Sequence, residues 1–155
     1  MGKISTVNEK FLKKQPLYIF FHFKLTMVNK VFLHPQEIET YYIIPTIRKY
    51  LAIFMQEQKL KQKDIANILG INSATISQYK SEKRAHKIHF DERIIQEIKT
   101  SAIIIKDRFS YLRETQRLLN LIREREFTCA FHKLYAEVPH DCNPKEVGCA
   151  AGLRL

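Results

Sequence analysis

QKDIANILGINSATISQY, Gln62 to Tyr79, is the stretch whose reading decides the fold. It predicts two short helices joined by a tight turn. Ile65, Leu69, Ile71, Ile76 and Tyr79 fall at the three- and four-residue steps that would lock two helices together through apolar faces. Ala66 stands where the helices cross closely, so a small side chain is needed there. Gly70 falls in the turn, where a positive φ is easy only for glycine. Asn72 precedes the second helix and suits its N-cap.

Working outward, the second helix is expected over about Ser73 to Glu82, with Ile76 and Tyr79 buried. Its other face then shows Ser73, Ala74, Ser77 and Gln78. Gln78 can bond bidentately to adenine, Ser73 can donate or accept, and Ala74 can touch a thymine methyl. Gln62 opens the first helix of the pair. Lys80, Lys83, Arg84 and Lys87 follow the second and suit phosphate contacts that position a domain without reading sequence. His86 and His89, three apart, read as titrating loop histidines more readily than as a metal pair.

Upstream, Pro35 can open a short helix, with Glu37 and Glu39 in its first turns, where the helix dipole favours carboxylates. Pro45 starts or kinks the next helix. Ile44, Ile47, Leu51, Phe54 and Met55 make one apolar face on it, and Leu60 should pack under the two-helix pair. Leu17 to Phe23, LYIFFHF, is too short to span a bilayer, which takes about 20 residues. No small-residue cleavage site follows it, which argues against a signal peptide. It reads as a strand-like or disordered arm, or as an extension upstream of a start at Met27.

Downstream, no Gly or Pro lies between Gly70 and Pro139, which favours long helices. Ile95, Ile98, Ala102, Ile105, Phe109, Leu112 and Leu119 form a near-heptad stripe. Two helices with a break near Asp107 to Ser110 fit a compact domain better than one of about 35 residues. The stripe is either an internal core or the face of a homodimer.

The tail from Cys129 changes character. Cys129 and His132 are three apart, and Cys142 and Cys149 lie 13 and 20 positions after Cys129. Pro139, Pro144 and Gly148 supply turns. Four such ligands suggest a tetrahedral Cys3His site, most simply for zinc, with an iron–sulfur cluster as the competitor and His140 as a spare ligand. Three unrelated thiols are the plain alternative. An odd cysteine count, all after residue 128, argues against a secreted disulfide framework and for a reducing, cytoplasmic setting.

The chain has 155 residues, of which 45% are apolar, enough to fill a core. The formal net charge of +10 suits a polyanionic partner, nucleic acid first and an anionic membrane second. The expected class is all-α: an N-terminal extension over 1–32, a two-helix-based domain over 33–88, a helical region over 89–126 and a Cys/His tail over 127–155. No nucleophile–base set, phosphate loop or paired-carboxylate constellation is visible, so catalysis is not expected.

PQEIETYYIIPTIRKYLA, Pro35 to Ala52, with its Pro45-x-x-Arg48, and QKDIANILGINSATISQYKSEKR, Gln62 to Arg84, resemble lambda-repressor and Cro-like (XRE-type) helix-turn-helix regulators. The nearest likeness is to a predicted-regulator group widespread in archaea, with a C-terminal region rich in Cys and His. The resemblance covers about Leu33 to Cys149. It implies a DNA-binding transcriptional regulator whose first motif helix crosses the backbone while the second enters the major groove. Gln62, Ser73, Ala74, Ser77, Gln78, Lys80, Lys83 and Arg84 would then meet double-stranded DNA, and Cys129, His132, Cys142 and Cys149 a metal or cluster. Leu118 to Glu126 lacks the CxxC that the resemblance would place before Cys129, which favours zinc over a cluster. The rival reading is an antitoxin-like or adaptor protein that uses the helical stripe for a partner.

Overall fold

The computed structural model describes residues 30–81, 83–85 and 87–149. The apolar run Leu17 to Phe23, the start at Met27, Glu82 and His86 lie outside the described residues. Within them the protein is all-α. No described helix is long and apolar enough to cross a membrane.

Pro35 occupies the first turn of α1 (Pro35–Ile38), where its missing N–H costs nothing. The chain then widens into a π-helical turn, Glu39–Ile43, and continues as α2 (Ile44–Glu57). Pro45 accounts for the widening: it cannot donate to the turn before it, and its ring crowds the carbonyl four residues back. The Thr46 hydroxyl donates to the Tyr42 carbonyl at 2.7 Å within this turn. The two helices expected around Pro35 and Pro45 therefore form one continuous helical run.

After α2 come α3 (Gln62–Leu69), α4 (Ser73–Lys80), α5 (Glu92–Ile104), α6 (Arg108–Glu124), α7 (Phe127–Tyr135) and the short α8 (Pro144–Val147). α2 is the hub, packed on α3, α4 and α5. Ile47, Leu51 and Met55 of α2 share one apolar core with Ile65 and Leu69 of α3, Ile76 of α4, Ile98 of α5 and Ile122 of α6. The segments 33–88 and 89–126 thus fill a common interior.

The break in the stripe falls at Ile105 to Asp107, the near edge of the expected window. Asp107 caps α6: its carboxylate accepts the Ser110 N–H at 2.7 Å, and its own N–H donates to the Ser110 hydroxyl at 3.0 Å. Ile98, Ala102, Ile105 and Leu119 are buried in the core, whereas Phe109 and Leu112 point outward. Of the two readings of the stripe, the internal core takes Ile98, Ala102, Ile105 and Leu119, and the break resets the helical phase for the rest.

The last residues of the expected extension over 1–32, Val31 and Phe32, meet the chain after α7. Phe32 pairs in a parallel bridge with Glu137, and the Glu137 N–H donates to the Val31 carbonyl at 3.1 Å.

Two buried carboxylates tie the helices together. Glu39 accepts two bonds from the Arg123 guanidinium, at 2.7 and 2.6 Å. Glu114 accepts from Ser101 at 3.0 Å and from Arg117 at 2.9 Å, and Arg117 also reaches Glu97 at 2.7 Å. Burial raises the Glu114 pKa, but the bonds from Arg117 and Ser101 outweigh it, leaving the group below its ordinary 4.5. Its stabilisation is therefore complete above that ordinary value and lost as the pH falls through the lowered folded value. Glu114→Gln should destabilise by about 1–3 kcal/mol at neutral pH, the usual cost of weakening a buried charge-assisted network. In urea unfolding at about pH 3 the gap between variant and parent should shrink. A gap of equal size at both pH values would clear Glu114 of the acid sensitivity.

Candidate nucleic-acid interface and the cysteine tail

α3 ends as its glycine dictates. Gly70 adopts φ +62°, and the next N–H, that of Ile71, turns back to the Ala66 carbonyl at 3.0 Å. Asn72 then starts α4, its side-chain oxygen accepting the Ala74 N–H at 2.9 Å. Ala66, Leu69, Ile76 and Tyr79 are buried between the two helices and the rest of the core. With that face closed, Ser73, Ala74, Ser77 and Gln78 are left exposed on α4, as their spacing predicts.

Gln62 takes a more specific place than the sequence indicates. Its side-chain amide donates to the Ser73 carbonyl at 2.7 Å and to the Ser77 hydroxyl at 3.2 Å. Gln62 and Ser77 are thus partners of each other, and the start of α3 is fastened to the first turn of α4. Lys80 at the end of α4, and Lys83, Arg84 and Lys87 beyond it, are exposed. From Lys59 to His89 the chain carries seven basic residues against two acidic ones, so this segment holds half of the net charge of +10.

Two arginines also act on this unit, Arg108, which no sequence pattern singles out, and Arg48 of the Pro45-x-x-Arg48 pattern. Arg108 donates to the Asn67 backbone carbonyl at 2.9 Å and to its side-chain oxygen at 3.0 Å, holding the last turn of α3 from the start of α6. Arg48 donates to the Tyr111 hydroxyl at 2.7 Å. The Tyr79 pKa is raised by burial, against the opposing pull of the Arg48 and Arg84 charges. Both contacts join residues more than 40 positions apart, and no local spacing signals them.

In the tail the three thiols are free and half-buried. Burial raises the Cys129 pKa, Lys133 lowers it, and Cys142 and Cys149 raise it further; Cys149 is raised by burial and then by Cys142 and Glu39. The thiols are therefore within electrostatic range of one another. His132 is turned elsewhere: it is buried, and its Nε2 lies 2.7 Å from the Leu33 carbonyl. Among the described residues no three His, Cys, Asp or Glu side chains are gathered closely enough to hold a metal ion. His140, the spare ligand, is exposed.

No protein-family model matches this chain, and no curated protein or solved structure matches it.

Two expectations arise from the geometry. Nothing lies within 4 Å of the position a Cβ would take on Gly70, so substitution there meets only the backbone penalty. Gly70→Ala should cost about 1–2 kcal/mol in thermal or urea unfolding, and Gly70→Asn distinctly less, because asparagine tolerates left-handed backbone. Equal costs would point to a clash rather than to φ. His132→Ala should destabilise by about 1–3 kcal/mol through loss of the bond to Leu33. That loss should be the same with and without a metal chelator; a loss confined to zinc-loaded protein would make His132 a ligand.

Proposed function

We propose that the chain is a sequence-specific double-stranded DNA-binding regulator, with α3 and α4 acting as a helix-turn-helix of the lambda-repressor-like kind. One observation carries the reading: an eight-residue helix, α4, buries Thr75, Ile76 and Tyr79 and turns Ser73, Ala74, Ser77 and Gln78 outward beside a basic segment. The major groove, about 12 Å wide, admits one helix and offers the donor and acceptor pattern that such side chains read. Gln78, with one donor and one acceptor side by side, is the natural reader of adenine. Ser73 and Ala74 supply a hydroxyl and a methyl at the first turn. Gln62 and Ser77 set the angle at which α4 is presented. Lys80, Lys83 and Arg84 meet phosphates, which fix register and carry no base preference.

Selection of bound duplexes from random DNA by the purified chain should enrich a short motif. Gln78→Ala should lose about 1–3 kcal/mol on that motif and relax one base position. Arg84→Ala should weaken all duplexes alike and reduce the salt slope by about one unit. Selection without enrichment, together with Gln78→Ala binding like the parent, would overturn the proposal.

A further inference from the structure

From Pro139 to Cys149 the chain buries almost nothing. Cys142, Pro144 and Cys149 are half-buried, and every other residue of the segment is exposed. α8, within it, has no buried side chain, and Val147 is 60% exposed. The two thiols are therefore among the few groups that this segment turns toward the rest of the protein. Local turns place them. The Cys142 N–H donates to the Pro139 carbonyl at 3.1 Å, and the Cys149 N–H to the Pro144 carbonyl at 2.8 Å. Cys129, in the first turn of α7, is half-buried as well. Cys142 acts electrostatically on both Cys129 and Cys149, and Cys149 acts on Cys129. Glu39 marks the same place from the other side: the Thr128 hydroxyl donates to its carboxylate at 3.4 Å, and its charge reaches Cys149. Three thiols from two helices' ends and a turn thus face one corner.

We propose that Cys129 and Cys142 form a thiol–disulfide exchange site, which takes low-molecular-weight disulfides and closes to a covalent link between α7 and the tail. Anchorage is the first argument. A segment with so little buried surface has little to hold it, and small modules of this kind use a cross-link where a core is missing. Topology is the second. Cys142 neighbours both other thiols, so it is the sulfur through which any pairing runs, and Cys129 is the partner that lies on a helix of the main body. The two are 13 positions apart, a loop short enough to close readily. Charge is the third. Burial opposes a thiolate on Cys129, but a disulfide is neutral and carries no such penalty.

The exchange balances in two steps. The Cys142 thiolate attacks one sulfur of an external disulfide, forming a mixed disulfide and expelling one external thiolate. The Cys129 sulfur then attacks the Cys142 sulfur, forming the internal disulfide and expelling the second external thiolate. The protons of the two protein thiols pass to the two released thiolates. Two protein thiols are oxidised and one external disulfide is reduced. A reducing thiol pool reverses both steps, so the pair opens and closes with that pool. The link lands on α7, whose Tyr135 hydroxyl donates to the Lys87 carbonyl, so it joins the tail to the helix that steadies the loop after α4.

The reduced full chain, treated with about 1 mM oxidised glutathione and then labelled with a maleimide in urea, should drop from three labels to one without retaining glutathione. Peptide mapping should find Cys129 joined to Cys142. Cys149→Ser should close as the parent does, whereas Cys142→Ser and Cys129→Ser should lose that link. Cys142→Ala replaces Cys142→Ser if the serine variant fails to fold. Closure should be at least about tenfold faster in the folded chain than in the same chain held in urea, where only the 13-position spacing brings the sulfurs together. Equal rates in the two states overturn the proposal. So do three labels after oxidation, a Cys142–Cys149 or intermolecular disulfide as the main product, or one zinc ion per chain that protects all three thiols from glutathione.

Discussion

Ile47, Leu51 and Met55 succeed one another along a single face of α2, and each is cut off completely from water. α3 and α4 both lean on α2. α3 and α4 have eight residues each, far below the length at which a helix holds itself together in water. Their stability is borrowed from burial: Ile65 and Leu69 on one side of the turn, Ile76 and Tyr79 on the other. At about 25 cal/mol per Å² of apolar surface removed from water, each such side chain contributes about 1.5–3 kcal/mol. The caps, Gly70 and Asn72, add increments near 1 kcal/mol and determine where the helices end. Burial holds the unit in place, and the local signals shape it.

Polar contacts over long sequence distances supply what the apolar core leaves undirected. Glu39 with Arg123 joins the π-helical turn to α6, Arg48 with Tyr111 joins α2 to α6, and His132 with Leu33 joins α7 to the chain ahead of α1. A buried carboxylate without its partner would be strongly destabilising, so these pairs restrict which packings of the same apolar surfaces are tolerable. Hydrophobic contact is tolerant of small slips; a two-pronged arginine–carboxylate pair is not. The arrangement of α6 against α2 and α3 is fixed in this way.

The parts legible in the sequence are those whose cause is local. Gly70 and Asn72 mark the turn through their own backbone preferences, and the apolar steps around them tell inside from outside on both helices. Asp107 and Ser110 show the break between α5 and α6 for the same reason. The stripe from Ile95 to Leu119 is ambiguous because periodicity carries no phase across a break. Two residues of extended chain at Ile105 and Lys106 rotate α6 relative to α5, so Ile98 and Leu119 face inward while Phe109 and Leu112 face out. The contact of His132 is illegible for a different reason: the Leu33 carbonyl that its Nε2 meets is 99 positions away, and no local spacing signals it. Gln62 is legible as a residue of the interface and not as the tether of Ser77, since that depends on how two helices cross.

The helix α7 bears on the reading unit through an aromatic contact. The Tyr135 hydroxyl donates to the Lys87 carbonyl, and the Tyr135 ring stacks on Tyr42 with centroids 5.1 Å apart. The Lys87 ammonium lies 5.3 Å from the centroid of that same Tyr42 ring. The segment after α4, which carries Lys83, Arg84 and Lys87, is thereby held between the π-helical turn and α7. Cation–π contact at such a site is worth only about 0.5–1 kcal/mol, and one hydrogen bond about the same, and both add to the anchoring that buried Ile88 and Phe90 give this loop. In the proposed DNA complex, phosphate contacts work by register, and register is what this contact sets. α7 therefore belongs mechanically to the proposed DNA-binding unit, although it lies outside the stretch from Gln62 to Arg84 that defines it.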